Sequence, residues 1–318
     1  MTNAMRVLLW TDGAGPYQEA IAAAGLSGRV AVEVLKRSES PSAEQLARTE
    51  ALLAWGAAPG LLPRFERLRW VQGLTAGVEM WLALPDLPPA LTLTCARGTH
   101  GESMAENILG AVFSIAKPFM AMAESQGRGK WERRVATPLS GATLGILGVG
   151  AIGAQLAGMA NAVGMRVVGT RRRPGAVPGV EIHPPEATDQ VLGQSDYVVL
   201  LLPATPETEN FMNATRLGQM KPGAWLLNFG RGGAIDDAAL VEAVTAKRIA
   251  GAVLDVFRVE PLPESHPFWT TPGIRVLPHM GGMHPRRDTV VAKLFVENLA
   301  RFLDGKPLRE VVDRAAGY

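Results

Sequence analysis

The segment that most restricts how this chain can fold is Gly148-Val149-Gly150-Ala151-Ile152-Gly153. It follows the short apolar run at residues 143–147, opens a helix-like stretch at 151–163, and is succeeded by a second apolar run at 165–169. A glycine-rich turn alone is common, but one set between strand and helix in a β-α-β unit has a specific use. Gly148 makes the tight turn, Gly150 lets a pyrophosphate approach the backbone, and Gly153 lets helix and strand pack closely. The first-turn N–H groups at Ala151, Ile152 and Gly153 lack partners within the helix and sit at the positive end of its dipole, so they suit phosphates. The segment therefore predicts a parallel α/β sheet that binds a dinucleotide.

Where such a unit usually carries an acid for a ribose 2′-hydroxyl, this chain reads Gly169-Thr170-Arg171-Arg172-Arg173. A carboxylate there would repel a 2′-phosphate, whereas guanidinium forks and a threonine hydroxyl favour one. NADP(H) is expected over NAD(H). A merely solvated charge run is the competing reading.

Composition narrows the partners. The chain has 318 residues, 47% hydrophobic, with 32 Lys plus Arg against 30 Asp plus Glu. That length suits two domains with substantial cores. Near-neutral charge gives no case for nucleic acid or a membrane surface. No apolar run approaches the ~20 residues of a membrane span, and the first residues lack a signal-peptide pattern. Cys95 is the single cysteine, so an intrachain disulfide is impossible and a cytoplasmic location is expected. Neither a HxxxH pair nor a cysteine cluster is present, so no metal site is expected.

Residues 7–10, 30–35, 51–55, 70–72 and 91–94 read as short strands with room for a helix between neighbours. Residues 101–124 are helix-permissive and could link two domains, with Pro118 ending or kinking that helix near Lys117. Strand and helix then alternate again through 143–147, 165–169, 197–202, 224–227 and 250–256. Residues 287–303 place Val290, Val291, Leu294, Phe295, Leu299 and Phe302 at helical spacing.

Three loops after apolar strands carry chemistry: Leu227-Asn228-Phe229-Gly230-Arg231-Gly232, the stretch from Asp255 to Pro263, and Leu277-Pro278-His279-Met280-Gly281-Gly282. In an open parallel sheet ligands bind outside the carboxyl ends of the strands, so all three loops, with Phe229, Gly230 and Gly281, face the nicotinamide region. Reduction of a 2-oxo acid needs a cation for its carboxylate and carbonyl, and a proton donor for the developing alkoxide. Arg231 offers a permanent bidentate charge. His279 offers the general acid, and an adjacent Glu260 would orient its ring and stabilise the imidazolium. His100, His183 and His266 read as ordinary polar histidines, as does His284, which alone lies close enough to the His279 loop to be worth testing.

With these residues in place the sequence resembles the D-isomer-specific 2-hydroxyacid dehydrogenase family over nearly its whole length. The family's catalytic arginine, glutamate and histidine match Arg231, Glu260 and His279. Its LPxTPET stretch beside the adenosine end of the cofactor matches Leu202-Pro203-Ala204-Thr205-Pro206-Glu207-Thr208, which marks Leu202, Pro203 and Thr208. Its nicotinamide-carboxamide aspartate matches Asp255. Its GAGVD loop matches Thr75-Ala76-Gly77-Val78-Glu79, with Glu79 in place of Asp, and there the N–H groups of Ala76 and Gly77 would bind the substrate carboxylate. Trp55 and Trp131 are candidates to shape the substrate pocket.

The resemblance implies an α/β fold of two Rossmann-like, doubly wound parallel-sheet domains with a cleft between them. Residues 1–99 plus 285–318 would form a flavodoxin-like substrate domain and 100–284 the dinucleotide-binding domain, hinged near 98–101 and 283–286. It implies a homodimer, with the long helices after residue 100 near its interface. Within the family, the arginines, the segment from Leu262 to Trp269 and the tail from Val312 to Tyr318 are similar to NADPH-linked glyoxylate/hydroxypyruvate reductases. The expected activity is NADPH-dependent reduction of a small 2-oxo acid to a D-2-hydroxy acid. Two alternatives stay open: an NAD-linked dehydrogenase for a bulkier 2-oxo acid, and a non-catalytic nucleotide-sensing protein like the family's corepressor relatives.

Overall fold

A computed structural model describes residues 4–317. The chain forms two compact units, one comprising everything up to His100 together with everything from His284 onward, the other Gly101–Met283.

In the first unit, five strands alternate with helices: β1 (Met5–Trp10), α1 (Gly15–Ala23), β2 (Val30–Leu35), α2 (Ala43–Arg48), β3 (Ala51–Ala54), β4 (Trp70–Gly73), α3 (Glu79–Leu82) and β5 (Thr92–Thr94). The strands pair in parallel in the order β2-β1-β3-β4-β5, which is the flavodoxin-like arrangement. Leu8, Leu52 and Val71 pack on one face while Val7, Leu9 and Leu53 pack on the other, as alternation along a doubly covered strand requires. The second face is closed by α1 and by the returning helix Arg287–Leu303. That helix buries Val291, Phe295 and Leu299 from the apolar stripe read in the sequence, and Phe295 stacks on Trp70 with ring centroids 5.5 Å apart.

The second unit begins with α4 (Gly101–Ala116) and α5 (Phe119–Gly127). They meet at a 63° bend on either side of Lys117-Pro118, where the proline was expected to interrupt the helix. The remaining elements are β6 (Thr143–Leu147), α6 (Ala151–Ala162), β7 (Arg166–Thr170), β8 (Glu181–His183), α7 (Thr188–Gln194), β9 (Tyr197–Leu200), α8 (Ala214–Gln219), β10 (Trp225–Asn228), α9 (Asp237–Thr245), β11 (Gly251–Leu254) and β12 (Ile274–Val276). The helix Arg287–Leu303, in the first unit, is α10. All seven strands run parallel in the order β12-β11-β10-β9-β6-β7-β8. Strand order reverses between β6 and β9, so a crevice opens outside their carboxyl ends.

The edge strand β8 is not announced in the sequence, and β12 is implied there only as the strand before the loop at residues 277–282. Each has three residues and mixes charged with apolar side chains, so neither carries the buried apolar run that marked the central strands.

No single helix among the described residues is long and apolar enough to cross a membrane. The bent pair α4 and α5 has the length and composition only when taken together.

Candidate active site

The glycine turn lies at the switch point between β6 and α6. Gly148 has φ +97°, and a Cβ there would stand 2.8 Å from the Leu201 carbonyl oxygen, so both backbone shape and space demand glycine. Its N–H and that of Val149 donate to the Thr170 carbonyl at 3.1 and 2.8 Å, which ties the turn to the end of β7. Gly153 faces Ile146, whose Cγ2 would lie 3.3 Å from an added Cβ. Gly150 is different. A Cβ there would meet nothing within 4 Å, and no side chain caps α6. Nothing in the protein itself fills that space, and the exposed start of a twelve-residue helix borders it, an arrangement that fits a pyrophosphate.

Around this turn the arginine segment divides. Thr170 is buried, and its carbonyl serves the glycine turn, so the side chains at the surface are those of the arginines. Arg171 is half-buried and donates its N–H to the His183 carbonyl, while Arg172 and Arg173 are exposed. A hydrogen bond from the Thr205 hydroxyl holds the Glu207 carboxyl below its ordinary value, and the charge of Arg172 adds to the effect, which places Arg172 near the 202–208 loop. That loop is internally locked. The Thr208 hydroxyl donates to the Pro203 carbonyl at 2.6 Å and accepts the Thr205 N–H at 2.9 Å. Leu202 comes so close to Gly230 that a Cβ on the glycine would lie 2.8 Å from the Leu202 carbonyl oxygen.

The three chemistry-bearing loops leave the carboxyl ends of the adjacent strands β10, β11 and β12. Asn228, fully buried at the end of β10, accepts the Gly230 N–H at 3.1 Å and donates to the Arg231 carbonyl at 2.9 Å, so one amide sets the backbone that carries Arg231. Arg231 Nη1 donates to the Gly230 carbonyl at 2.7 Å. Beside it, a Cβ on Gly232 would lie 1.9 Å from the Phe257 carbonyl carbon, so the Arg231 loop and the Glu260 loop run backbone to backbone. Arg258 clasps the junction through the carbonyls of Gly233 and Ile235 and the carboxylate of Glu209. Phe229 is buried in the core, which leaves only its backbone to meet a ligand.

His279 has φ +50°, a left-handed conformation that turns its ring out of the chain after β12. Its Nδ1 lies 2.6 Å from Glu260 Oε2, while Glu260 Oε1 accepts the Phe257 N–H at 2.9 Å. A carboxylate accepts only, so this pairing puts a proton on Nδ1 and leaves Nε2 as the other nitrogen of a ring that is 55% exposed. Asp255, 1% exposed, holds the same loop from below. Oδ1 accepts the Met280 N–H at 2.8 Å and Oδ2 the Gly281 N–H at 2.9 Å. Burial pushes the Asp255 carboxyl up, and these two donors pull it back. Gly281 is forced, since a Cβ would lie 2.7 Å from Asp255 Oδ2 and 2.9 Å from Met104 Sδ. Asn107 of α4 donates to the Gly281 carbonyl at 2.9 Å. Asn107 and Arg258 carry no local sequence signature of these long-range bonds, and Asn228 is marked in the sequence only by its place beside Arg231.

In the first unit, Leu74 is buried and Ala76 exposed. Trp55 lies beneath two guanidinium groups, those of Arg37 and Arg287, at 5.0 and 4.2 Å from its centroid. Trp131 is 91% exposed. Among the described residues no group of three or more His, Cys, Asp or Glu is arranged to hold a metal ion.

A family model for the NAD-binding domain of the D-isomer-specific 2-hydroxyacid dehydrogenases matches residues 109–281, more than half of the chain. The chain belongs to that family. This NAD(P)-dependent D-2-hydroxyacid dehydrogenase is 31% identical to one from Xanthobacter autotrophicus Py2, solved with NADPH and MES, with a TM-score of 0.87 over 99% of this chain and all of that one. It is 28% identical to the NADPH-dependent glyoxylate/hydroxypyruvate reductase of Sinorhizobium meliloti, solved with NADP and sulfate, with a TM-score of 0.85 over 99% of this chain and all of that one. Glyoxylate/hydroxypyruvate reductase B of Serratia proteamaculans is 35% identical over 64% of this dehydrogenase and 65% of its own length.

Proposed function

We propose that this dehydrogenase uses NADPH to reduce a small 2-oxo acid of the glyoxylate or hydroxypyruvate type to a D-2-hydroxy acid. The observation that carries the reading is the His279–Glu260 pair, with Nδ1 fixed at 2.6 Å on a half-exposed ring. A bound nicotinamide supplies the hydride. Arg231 draws the carboxylate and polarises the carbonyl, and the Nε2 proton of His279 passes to the oxygen that becomes the hydroxyl. Glu260 orients the ring and stabilises its cationic form before that transfer. The N–H groups of Ala76 and Gly77 take the substrate carboxylate. Arg172 and Arg173, exposed beyond a strand that ends without an acid, support a 2′-phosphate and hence NADPH. The NADP-bound relatives support the same preference.

A homodimer completes the proposal. Phe119, Met120, Trp131 and Val135 expose large apolar surfaces within one stretch of the second unit, as an interface with a second copy would.

The deciding experiment is steady-state reduction of a panel of 2-oxo acids with NADPH and NADH in parallel. Turnover of glyoxylate or hydroxypyruvate, with higher kcat/KM for NADPH, is the expected result. Absence of turnover with every acid overturns the catalytic reading, and equal kcat/KM with NADH overturns the role given to the arginines.

A further inference from the structure

Arg287 opens α10, and its side chain is only 11% exposed. Nη1 donates to Asp288 Oδ1 at 2.6 Å, Nη2 donates to the Leu74 carbonyl, and the guanidinium lies 4.2 Å from the centroid of the Trp55 ring. Asp288 is fixed in turn, since the Tyr17 hydroxyl donates to its Oδ1 at 3.2 Å. A Cβ on Gly13 would stand 2.6 Å from Asp288 Oδ2, so a glycine leaves room for that carboxylate. Burial pushes the Tyr17 hydroxyl above its ordinary range and the charge of Asp288 adds to the effect, which keeps Tyr17 a donor.

A buried guanidinium is costly unless its donors are satisfied, and a partner for Asp288 would need only one edge of the fork. Here another donor goes to the backbone at the root of the Leu74–Glu79 loop. That loop is otherwise held from the sheet and by itself: Leu74 N–H donates to Ala54 at 3.0 Å, Ala96 N–H donates to Thr75 at 2.8 Å, and the Thr75 hydroxyl donates to the Gly77 carbonyl at 2.6 Å. Arg287 adds a clamp from the C-terminal helix, and the same group supports the face of Trp55. It therefore joins two segments, β3 to its loop and β4 to its loop, at the carboxyl edge of one parallel sheet, where ligands of such sheets bind.

We infer that Arg287 is a positioning residue for substrate recognition. It fixes the Leu74 carbonyl and the Trp55 ring, and through them the Ala76 and Gly77 N–H groups that take the 2-oxo acid carboxylate. The inference rests on the substrate role proposed above for that loop. Lysine, a point charge on a flexible stem, cannot serve Asp288, the Leu74 carbonyl and the indole face together.

The test compares wild type with Arg287→Lys, and with Asp288→Asn, which keeps the guanidinium but removes its anchor. For Arg287→Lys the expected result is a KM for glyoxylate raised about tenfold or more (about 1.4 kcal/mol), kcat changed less than about threefold, and NADPH Kd unchanged. Amide hydrogen exchange in residues 74–79 accelerates about tenfold while residues 143–170 keep wild-type rates. Asp288→Asn shifts both readouts in the same direction by less, and it carries the test if Arg287→Lys does not fold. A KM within twofold of wild type, or unchanged exchange in 74–79, overturns the inference. So does a fall in kcat and melting temperature with KM intact, which marks a merely structural role. If wild type reduces no 2-oxo acid, the proposed function falls, and exchange in 74–79 alone decides whether Arg287 positions the loop.

Discussion

His279 Nδ1 sits 2.6 Å from Glu260 Oε2, and the carboxylate's other oxygen is held by the Phe257 N–H at 2.9 Å. Both oxygens of Glu260 thus face donors. Glu260→Gln replaces one acceptor with an NH2 group, which must point either at the Phe257 N–H or at Nδ1. In the first case two donors oppose each other, and in the second the imidazole is pinned in its neutral tautomer. We expect kcat for 2-oxo acid reduction to fall about 10²- to 10⁴-fold, the usual contribution of a positioned general acid. NADPH Kd, measured by fluorescence titration, stays within about twofold of wild type. A kcat within about threefold of wild type would show that the carboxylate does not prepare the proton donor.

The pairing of these residues, nineteen positions apart, was legible because each lies in a loop that follows a strand, and parallel strands deliver such loops to one edge. The central strands were legible for the same reason, since burial on both faces leaves continuous apolar runs. The edge strand β8 was not, and β12 was marked only by the loop that follows it, because half-exposed three-residue strands need no such run. Nor was the bracing of the site legible. Arg258 and Arg287 act through backbone carbonyls and carboxylates, most of them remote in sequence, and an isolated polar residue in a sequence gives no sign of whether it faces water or a carbonyl across the fold. Thr208 illustrates the same limit on a matched motif. Its hydroxyl donates inward to Pro203, a direction the motif does not specify.

Two glycines of the turn should respond in opposite ways to the same change. At Gly148, with φ +97° and a Cβ placed 2.8 Å from the Leu201 oxygen, alanine forces strain and a backbone shift. Gly148→Ala should lose about 1–3 kcal/mol of stability in urea denaturation. At Gly150 alanine meets no protein atom within 4 Å. Gly150→Ala should unfold within about 0.5 kcal/mol of wild type yet bind NADPH at least about tenfold more weakly, because its methyl enters the space assigned to the pyrophosphate. Unchanged affinity in a folded Gly150→Ala protein would remove the phosphates from this turn.

The arginine segment can be tested for charge rather than shape. Arg172 and Arg173 are exposed, so replacing either by Ser should leave the melting temperature nearly unchanged. If a guanidinium binds the 2′-phosphate, the lost charge-assisted bond of about 1.5–3 kcal/mol raises the KM for NADPH about 10- to 100-fold. The KM for NADH, which lacks that phosphate, stays within about threefold. Equal effects on both cofactors would assign the arginines to general electrostatics.

His100 gives the fold a pH dependence of its own. Burial, with the positive charge of Arg287 and the nearby His284, lowers its pKa from the ordinary 6.5 to about 4, and Nδ1 lies 2.9 Å from the Thr99 hydroxyl, which itself donates to the Ala96 carbonyl. The sign follows from which state takes the proton. Above pH 6.5 the histidine is neutral in both states and contributes no pH dependence; between 6.5 and 4 the unfolded chain is protonated while the folded one resists. Stability is therefore lost as pH falls through that window and the loss levels off below about 4. The two-and-a-half-unit difference corresponds to about 3 kcal/mol, at 1.36 kcal/mol per unit. In His100→Asn, whose amide can still donate to Thr99, that portion of the acid destabilisation should vanish. Urea denaturation of both proteins at pH 7 and pH 4 measures it. A wild-type loss no larger than that of the variant would mean that His100 takes up its proton as readily in the folded protein as in the unfolded chain.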